Sequence, residues 1–160
     1  MTDHSAPAGG PVGLTCRLRK TATQVIPDDE NFDLVLWELV DWDTGSAADL
    51  ANNRLVMGPA WDGKVVVITA YLPFAGTSGS GVKARIRHYD SGDVEYGHSP
   101  QEKIDSNHGG NDGRYDITRQ FLVANGDYFE VWFALDTGVS GSRTLLAGPG
   151  GTSVVITKIG

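Results

Sequence analysis

The histidines and acidic residues between positions 97 and 113 are the side chains whose types could bind a metal ion. His98 and His108 stand in this stretch together with Asp105 and Asp112. A zinc site needs several such ligands that converge on one point and are held there by further hydrogen bonds. The stretch is glycine-rich and polar, and no pattern within it fixes that convergence. We therefore expect a solvated loop without a metal ion or cofactor.

The same stretch partly matches a calcium-binding loop that begins at Asp105. Asn107 and Asp116 would supply oxygen at positions three and twelve, and Gly110 stands at position six. The signature also requires an oxygen donor at position five, which is Gly109 here, and a glutamate at position twelve. Asx and glycine residues that bond to their own backbone explain the pattern better. The sequence therefore predicts no calcium site.

Serines and carboxylates outside this stretch do not form a recognisable catalytic group. Ser78 and Ser80 lie in a Gly/Ser-rich run that lacks the patterns of a nucleophile elbow or a phosphate loop. Asp90, Asp93 and Glu95 flank a turn signal, where acidic residues are common. We therefore expect a protein that is not an enzyme.

Charge and cysteine content narrow the classes of partner. The net charge of −7 argues against nucleic acid, because phosphate binding needs a basic surface. Cys16 is the single cysteine, so no intrachain disulfide can form, and its strand-like surroundings predict a buried thiol. No signal peptide, membrane span or lipidation motif is apparent. We expect no membrane partner. If the protein acts outside a cell, we expect it to leave by lysis or assembly rather than by a secretory signal.

The segment from Trp61 to Ala75 is the stretch around which the strands are expected to arrange. Asp62-Gly63 is a turn signal, and the residues after it are β-branched and apolar, which is typical of a strand with both faces buried. Pro73 cannot donate a backbone hydrogen bond, so regular pairing should end near it. The pattern predicts a central strand with a neighbour on each side.

Period-two alternation predicts further strands, in Leu14–Arg19, Val82–Arg87 and Tyr128–Leu135. Ala75–Gly81 and Asn125–Asp127 carry the composition of hairpin turns. The stretch 97–113 has no strand character. About ten short strands without helices, in a single domain of residues 14–160, favour an all-β, ten-stranded jelly-roll sandwich over a lipocalin-like barrel.

Residues 1–13 are poor in apolar side chains and rich in glycine, proline and alanine, so they are expected to form a flexible N-terminal arm. This arm is either a disordered terminus or an anchor that becomes ordered on a partner. The residues expected to make the anchor contacts are Thr2, Asp3, His4, Pro7, Pro11 and Val12.

Five segments, in this order, resemble the globular head of complement q and its tumour-necrosis-factor relatives. They are Phe32–Leu36, Trp42–Thr44, Asn53–Leu55, Pro59–Lys64 and Val123–Val131. The resemblance covers nearly all of the chain from Leu14 onward and is one of spacing and pattern.

Two features depart from the family. Val65 or Val66 stands where the family has an aromatic residue, and the stretch 97–113 is longer and more polar than usual. The absence of a Gly-X-Y stalk is similar to the form of this fold found in bacteriophage structural proteins. The resemblance implies a homotrimer used for attachment or binding. The interface residues that it suggests are Tyr128, Val131, Phe133, Val154 and Ile156.

Three functions remain open at this point. The first is a virion structural protein, made in the host cytoplasm, that decorates a phage capsid or forms a fibre or spike head and contacts other capsid or tail proteins. The second is a module of a phage spike that binds a host-surface glycan or receptor. The third is a soluble bacterial complement-q-like ligand-binding protein. The residues expected to meet a ligand are His98, Asp105, Asn107, His108, Asn111 and Asp112.

Overall fold

The computed structural model describes residues 13–27, 31–76, 82–98, 102–104, 112–135 and 142–159. Apart from a 3₁₀ turn at Pro59–Trp61, these residues contain no helix. The described ranges therefore hold no helical segment that could cross a membrane. The strands are β1 (Thr15–Arg19), β2 (Gln24–Ile26), β3 (Asp33–Leu34), β4 (Leu39–Asp43), β5 (Ala48–Asp49), β6 (Arg54–Val56), β7 (Lys64–Gly76), β8 (Val82–Tyr89), β9 (Glu95–His98), β10 (Glu102–Ile104), β11 (Asp112–Val123), β12 (Tyr128–Leu135), β13 (Arg143–Leu145) and β14 (Ser153–Lys158).

The fourteen strands form two antiparallel sheets of seven strands each. Sheet A has the order β2-β13-β7-β14-β1-β4, with β11 on the free side of β7. Sheet B has the order β10-β8-β12-β6-β5, with β3 paired to β12 and β9 paired to β8. The expected all-β jelly-roll sandwich is confirmed. The strand number exceeds the expected ten, because strands of two or three residues are too short to show a period.

The core lies between the inner faces of the two sheets. Alternate residues of β7, from Val66 to Phe74, are buried on the sheet A side. On the sheet B side, β8 alternates buried and half-buried residues along its whole length, as its sequence predicted. Phe74 and Phe133 join the two sheets with ring centroids 5.9 Å apart. Each fully buried aliphatic or aromatic side chain here contributes about 1.5–3 kcal/mol to folding.

Strand β7 is central, as predicted, but it is covered on one face only. It pairs with β11 along one side and with β14 and β13 along the other. Pairing with β11 continues through Pro73, so the expected end of pairing there is wrong on that side. On the other side Pro73 lies in the gap between β14 and β13, where the missing N–H breaks no ladder.

Two connections that were expected to be hairpins instead join the two sheets. β7 belongs to sheet A and β8 to sheet B, and residues 77–81 between them lie outside the described part. The turn at Asn125–Asp127 likewise leads from β11 in sheet A to β12 in sheet B. Gly126 has φ 93°, which confirms the tight turn but not a hairpin. Local turn chemistry fixes the bend and does not fix the partner strand.

The stretch 97–113 contains more strand than expected. β9 extends to His98, β10 occupies Glu102–Ile104 and β11 begins at Asp112. Both β9 and β10 pair with β8, so the backbone here extends the edge of sheet B.

Candidate functional site

Sheet A turns away from the core a surface whose centre lacks charged side chains. Cross-strand partners point to the same side of a sheet, so the ladder of β7 with β11 and β14 defines this surface. We call it the outer face of sheet A. Its uncharged residues are Val65, Val67, Thr69, Tyr71, Thr118, Gln120, Leu122, Val155 and Thr157. The charged Asp116 and Arg17 lie at its margin, as cross-strand partners of Tyr71 and Val155.

The centre of the outer face carries apolar, hydroxyl and amide side chains and is only partly covered. Its β7 and β14 positions are half-buried, and its β11 positions are exposed, with Leu122 at 69%. The Thr69 and Thr118 hydroxyl oxygens lie 3.0 Å apart and satisfy one another. A strand patterned for burial on both faces is thus left uncovered on one. Depletion of charge at the centre of a patch is typical of protein–protein interfaces.

A cleft of ≈220 Å³ lies at one end of this face, where charged side chains begin. Arg17 of β1 and Arg114 of β11 stand on its walls, with Tyr71 of β7 and Ser153 of β14 between them. The Arg17 guanidinium lies 5.4 Å from the Trp42 ring centroid, and that of Arg114 lies 5.1 Å from the Tyr71 centroid. Ring stacking holds both guanidinium groups at the cleft.

A second cleft, of ≈450 Å³, lies at the edge of the sandwich where β11 ends and β9 begins. Its floor holds His88, whose Nε2 lies 2.9 Å from Oδ2 of Asp127. The same carboxylate oxygen accepts the backbone N–H of Ala124 at 2.9 Å. The exposed side chains of Tyr96 and Leu122 form its rim. The His88–Asp127 pair therefore connects β8 in the core to the turn between β11 and β12.

The outer face of sheet B alternates cations with aromatic rings. The guanidinium of Arg85 lies 3.5 Å from the Phe32 ring centroid, and that of Arg87 lies 4.2 Å from the Trp132 centroid. Tyr128 stacks on Tyr89 with centroids 4.7 Å apart. Burial, aided by the hydrogen bond to Asp93, raises the pKa of Tyr128 to about 12. These side chains are engaged with one another, which favours a structural role for this face.

The structure buries the residues expected at the subunit interface within the protomer itself. Val131, Phe133, Val154 and Ile156 are at most 2% exposed and belong to the core between the sheets. Tyr128 is 8% exposed and lies in the sheet B ladder under Arg54. Within one protomer these five side chains therefore present little or no surface to a second subunit. In β12 the alternation directs its apolar residues inward, and in β14 the outward residue is Val155 rather than its buried neighbours.

The other expected contact residues fall largely outside the described part of the chain. This applies to the six arm residues and to Asp105, Asn107, His108 and Asn111. His98 ends β9 and Asp112 begins β11, but the positions of their side chains are not described. Within the described ranges, no three His, Cys, Asp or Glu residues are grouped so that they could hold a metal ion.

The sequence analysis did not predict the two clefts or the uncharged centre of the outer face of sheet A. His88 and Asp127 are 39 residues apart, and nothing in the local pattern of either indicates the other. The sequence of β7 did indicate something about its outward face. A strand with one face in solvent usually alternates apolar with polar residues, but in β7 the residues between the buried ones are largely valine and threonine. That pattern indicated burial of both faces of β7, but it did not identify the surface that covers the outer one.

The sequence matches no protein-family model and no curated protein. The structure is similar to murine APRIL at pH 8.5 (TM-score 0.66, 12% identity, 91% of this chain and 98% of that one). It is also similar to Eiger TNF from S. frugiperda (TM-score 0.63, 10% identity, 92% of each chain). The globular domain of zebrafish complement 1qA protein is a third (TM-score 0.59, 8% identity, 92% of this chain and 96% of that one). This confirms the fold that the sequence resemblance implied.

Proposed function

We propose that this chain is a non-enzymatic assembly and binding module whose copies form a homotrimer through the outer face of sheet A. The observation that carries the proposal is strand β7, which is apolar on both faces but covered on one within the single chain. A second copy would cover Val65 and Val67 and remove apolar surface from water.

A threefold assembly determines which surface must meet the outer face. Three copies around one axis cannot all pair like face with like face, so each face contacts a different patch on the next copy. The edge of the sandwich at β11 and β9 is the complementary candidate. Tyr96 of β9 is 63% exposed there, and aromatic side chains are enriched at protein–protein interfaces.

The mass of the full-length protein in solution tests the trimer. Sedimentation equilibrium at micromolar concentration should give the mass of three 17.1 kDa chains, decreasing only on strong dilution. A mass of one chain over the whole concentration range contradicts the proposal. A mass of two chains contradicts the threefold arrangement but still supports self-association of the chain.

The proposed setting is a phage particle, in which the trimer acts as a capsid decoration protein or a fibre or spike head. The support for it is the sequence resemblance to phage structural proteins. If residues 1–13 anchor the trimer, deleting them should leave the trimer mass unchanged and reduce co-sedimentation with particles. Co-sedimentation at the level of the full-length protein would contradict an anchoring role for the arm.

A further inference from the structure

The cleft beside Arg17 and Arg114 has the chemistry of a binding site for a small anion. It combines two guanidinium groups, the Ser153 hydroxyl and the Tyr71 ring in a space of ≈220 Å³. Guanidinium groups are planar, permanently charged and shaped to donate paired hydrogen bonds to oxyanions. Gly150 borders the same cleft, and a Cβ placed there would meet no atom within 4 Å, so this wall is open.

The protein itself does not fully satisfy the charge and hydrogen-bond donors of the Arg17 guanidinium. Its Nε lies 3.4 Å from Asp41, an ion-pair distance, but this buried nitrogen has no hydrogen-bond partner. Asp41 accepts three hydrogen bonds of 3.0–3.1 Å from Arg19 instead. One carboxylate therefore serves two guanidinium groups, which leaves a net positive charge on this side of the cleft.

Arg114 can approach a ligand without disturbing the core. Its side chain is 58% exposed, and its ion pair with Asp116 lies on the solvent side of β11. Across the cleft, an Nη of Arg17 lies 3.4 Å from the Ser153 hydroxyl, a long contact that an incoming acceptor could replace. Two arginines line the cleft, and their ion pairs add Asp41, Asp116 and the Arg19 that shares Asp41, so the local excess is positive in a protein whose net charge is −7.

We propose that this cleft binds a phosphate or sulfate group, either as the free ion or as a monoester on a larger ligand. Arg17 and Arg114 bind its oxygens from opposite walls, and the Ser153 hydroxyl donates a further hydrogen bond. All of the residues that line the cleft belong to one protomer, and the cleft lies at the margin of the outer face of sheet A, with which it shares Tyr71.

The test measures calorimetric binding of inorganic phosphate, sulfate and glucose 6-phosphate to the full-length protein at constant ionic strength, with chloride as the reference anion. Arg114→Gln removes one guanidinium from an exposed position and should weaken binding at least tenfold. Lys158→Gln is the matched control, because it removes one positive charge from an exposed position of the same sheet outside the cleft. Arg114→Lys keeps the charge without the paired donors and should give an intermediate affinity.

Saturable binding of any of the three probes, lost in Arg114→Gln and kept in Lys158→Gln, supports the site. Binding of glucose 6-phosphate alone assigns it to esters, and binding of the free ions assigns it to inorganic oxyanions. The absence of saturable binding up to ~10 mM ligand would overturn the proposal. Equal weakening of binding in Arg114→Gln and Lys158→Gln would also overturn it, because general surface charge would then explain the affinity. Sedimentation of the same samples measures the trimer separately, so a failure of anion binding and a loss of the trimer are distinguished.

Discussion

The indole of Trp61 lies against Gly45 so closely that no side chain fits between them. Nε1 of Trp61 donates a 2.8 Å hydrogen bond to the Gly45 carbonyl oxygen, and the indole is fully buried. A Cβ on residue 45 would lie 2.5 Å from Cζ2 of the ring, far inside van der Waals contact. The pair connects the loop after β4 to the start of the central strand β7.

Replacing Gly45 with alanine should therefore destabilise the protein by about 2 kcal/mol or more, because the indole must move and strain its hydrogen bond. Gly58→Ala is the control: a Cβ there meets nothing within 4 Å and φ is −78°, so we expect a change within about 0.5 kcal/mol. Urea unfolding followed by tryptophan fluorescence gives both values. Equal values for the two variants would contradict the packing described for Trp61.

Asp127 should matter more to stability than an exposed aspartate in the same region. It is 4% exposed, and its carboxylate accepts hydrogen bonds from His88 and from the Ala124 N–H. Asp127→Ala leaves both donors without their acceptor, so we expect a loss of about 2–3 kcal/mol. Asp62 accepts one backbone hydrogen bond at the surface, and Asp62→Ala should cost less than about 1 kcal/mol. Comparable losses in urea unfolding would show that the buried pair is not a structural connection.

Stability should decrease at alkaline pH because of Cys16. Burial, with a further contribution from the Asp43 carboxylate, raises the pKa of the Cys16 thiol far above its ordinary value. Above pH ~8.5 the unfolded chain loses this proton while the folded chain keeps it, so the free energy of unfolding falls as pH rises. The thiol's contribution has a limiting slope of about 1.4 kcal/mol per pH unit.

Cys16→Ala isolates that contribution. The difference in the free energy of unfolding between wild type and variant should be constant from pH 6 to 8 and should shrink from pH 8.5 to 10. A constant difference over the whole range would contradict a raised thiol pKa. A thiol reagent should label the wild-type protein only when it unfolds, because Cys16 is fully buried.

Sequence patterns predicted the strands better than their partners. The alternation in Val82–Tyr89 gave the correct inward residues, because one face of a sheet strand must be apolar wherever it meets a core. Asn125–Asp127 gave the correct bend, yet the chain crosses to the other sheet there. Which sheet receives the next strand depends on contacts far along the chain, and no local turn signal encodes them.

The candidate sites depended even more on distant contacts. Trp61 meets Gly45 across 16 residues, and Arg17 meets Ser153 across 136. Val154 and Val155 illustrate the difficulty most simply. Val154 was expected at the subunit interface, but it points into the core, and its neighbour Val155 points onto the outer face. A one-residue error in assigning a face changes every interface residue inferred from that strand.

The most direct measurement of the central claim is the solution mass of a Val67→Glu variant. Val67 lies at the centre of the outer face and is half-buried in the protomer, so the variant should fold, with an unchanged far-UV circular dichroism spectrum. A carboxylate placed in a contact between subunits is costly unless it is paired. Val94→Glu, at the β8–β9 turn of sheet B, is the control.

The account predicts that the wild type and Val94→Glu sediment as three chains and that a folded Val67→Glu sediments as one. A folded Val67→Glu that still sediments as three chains would contradict assembly through the outer face of sheet A.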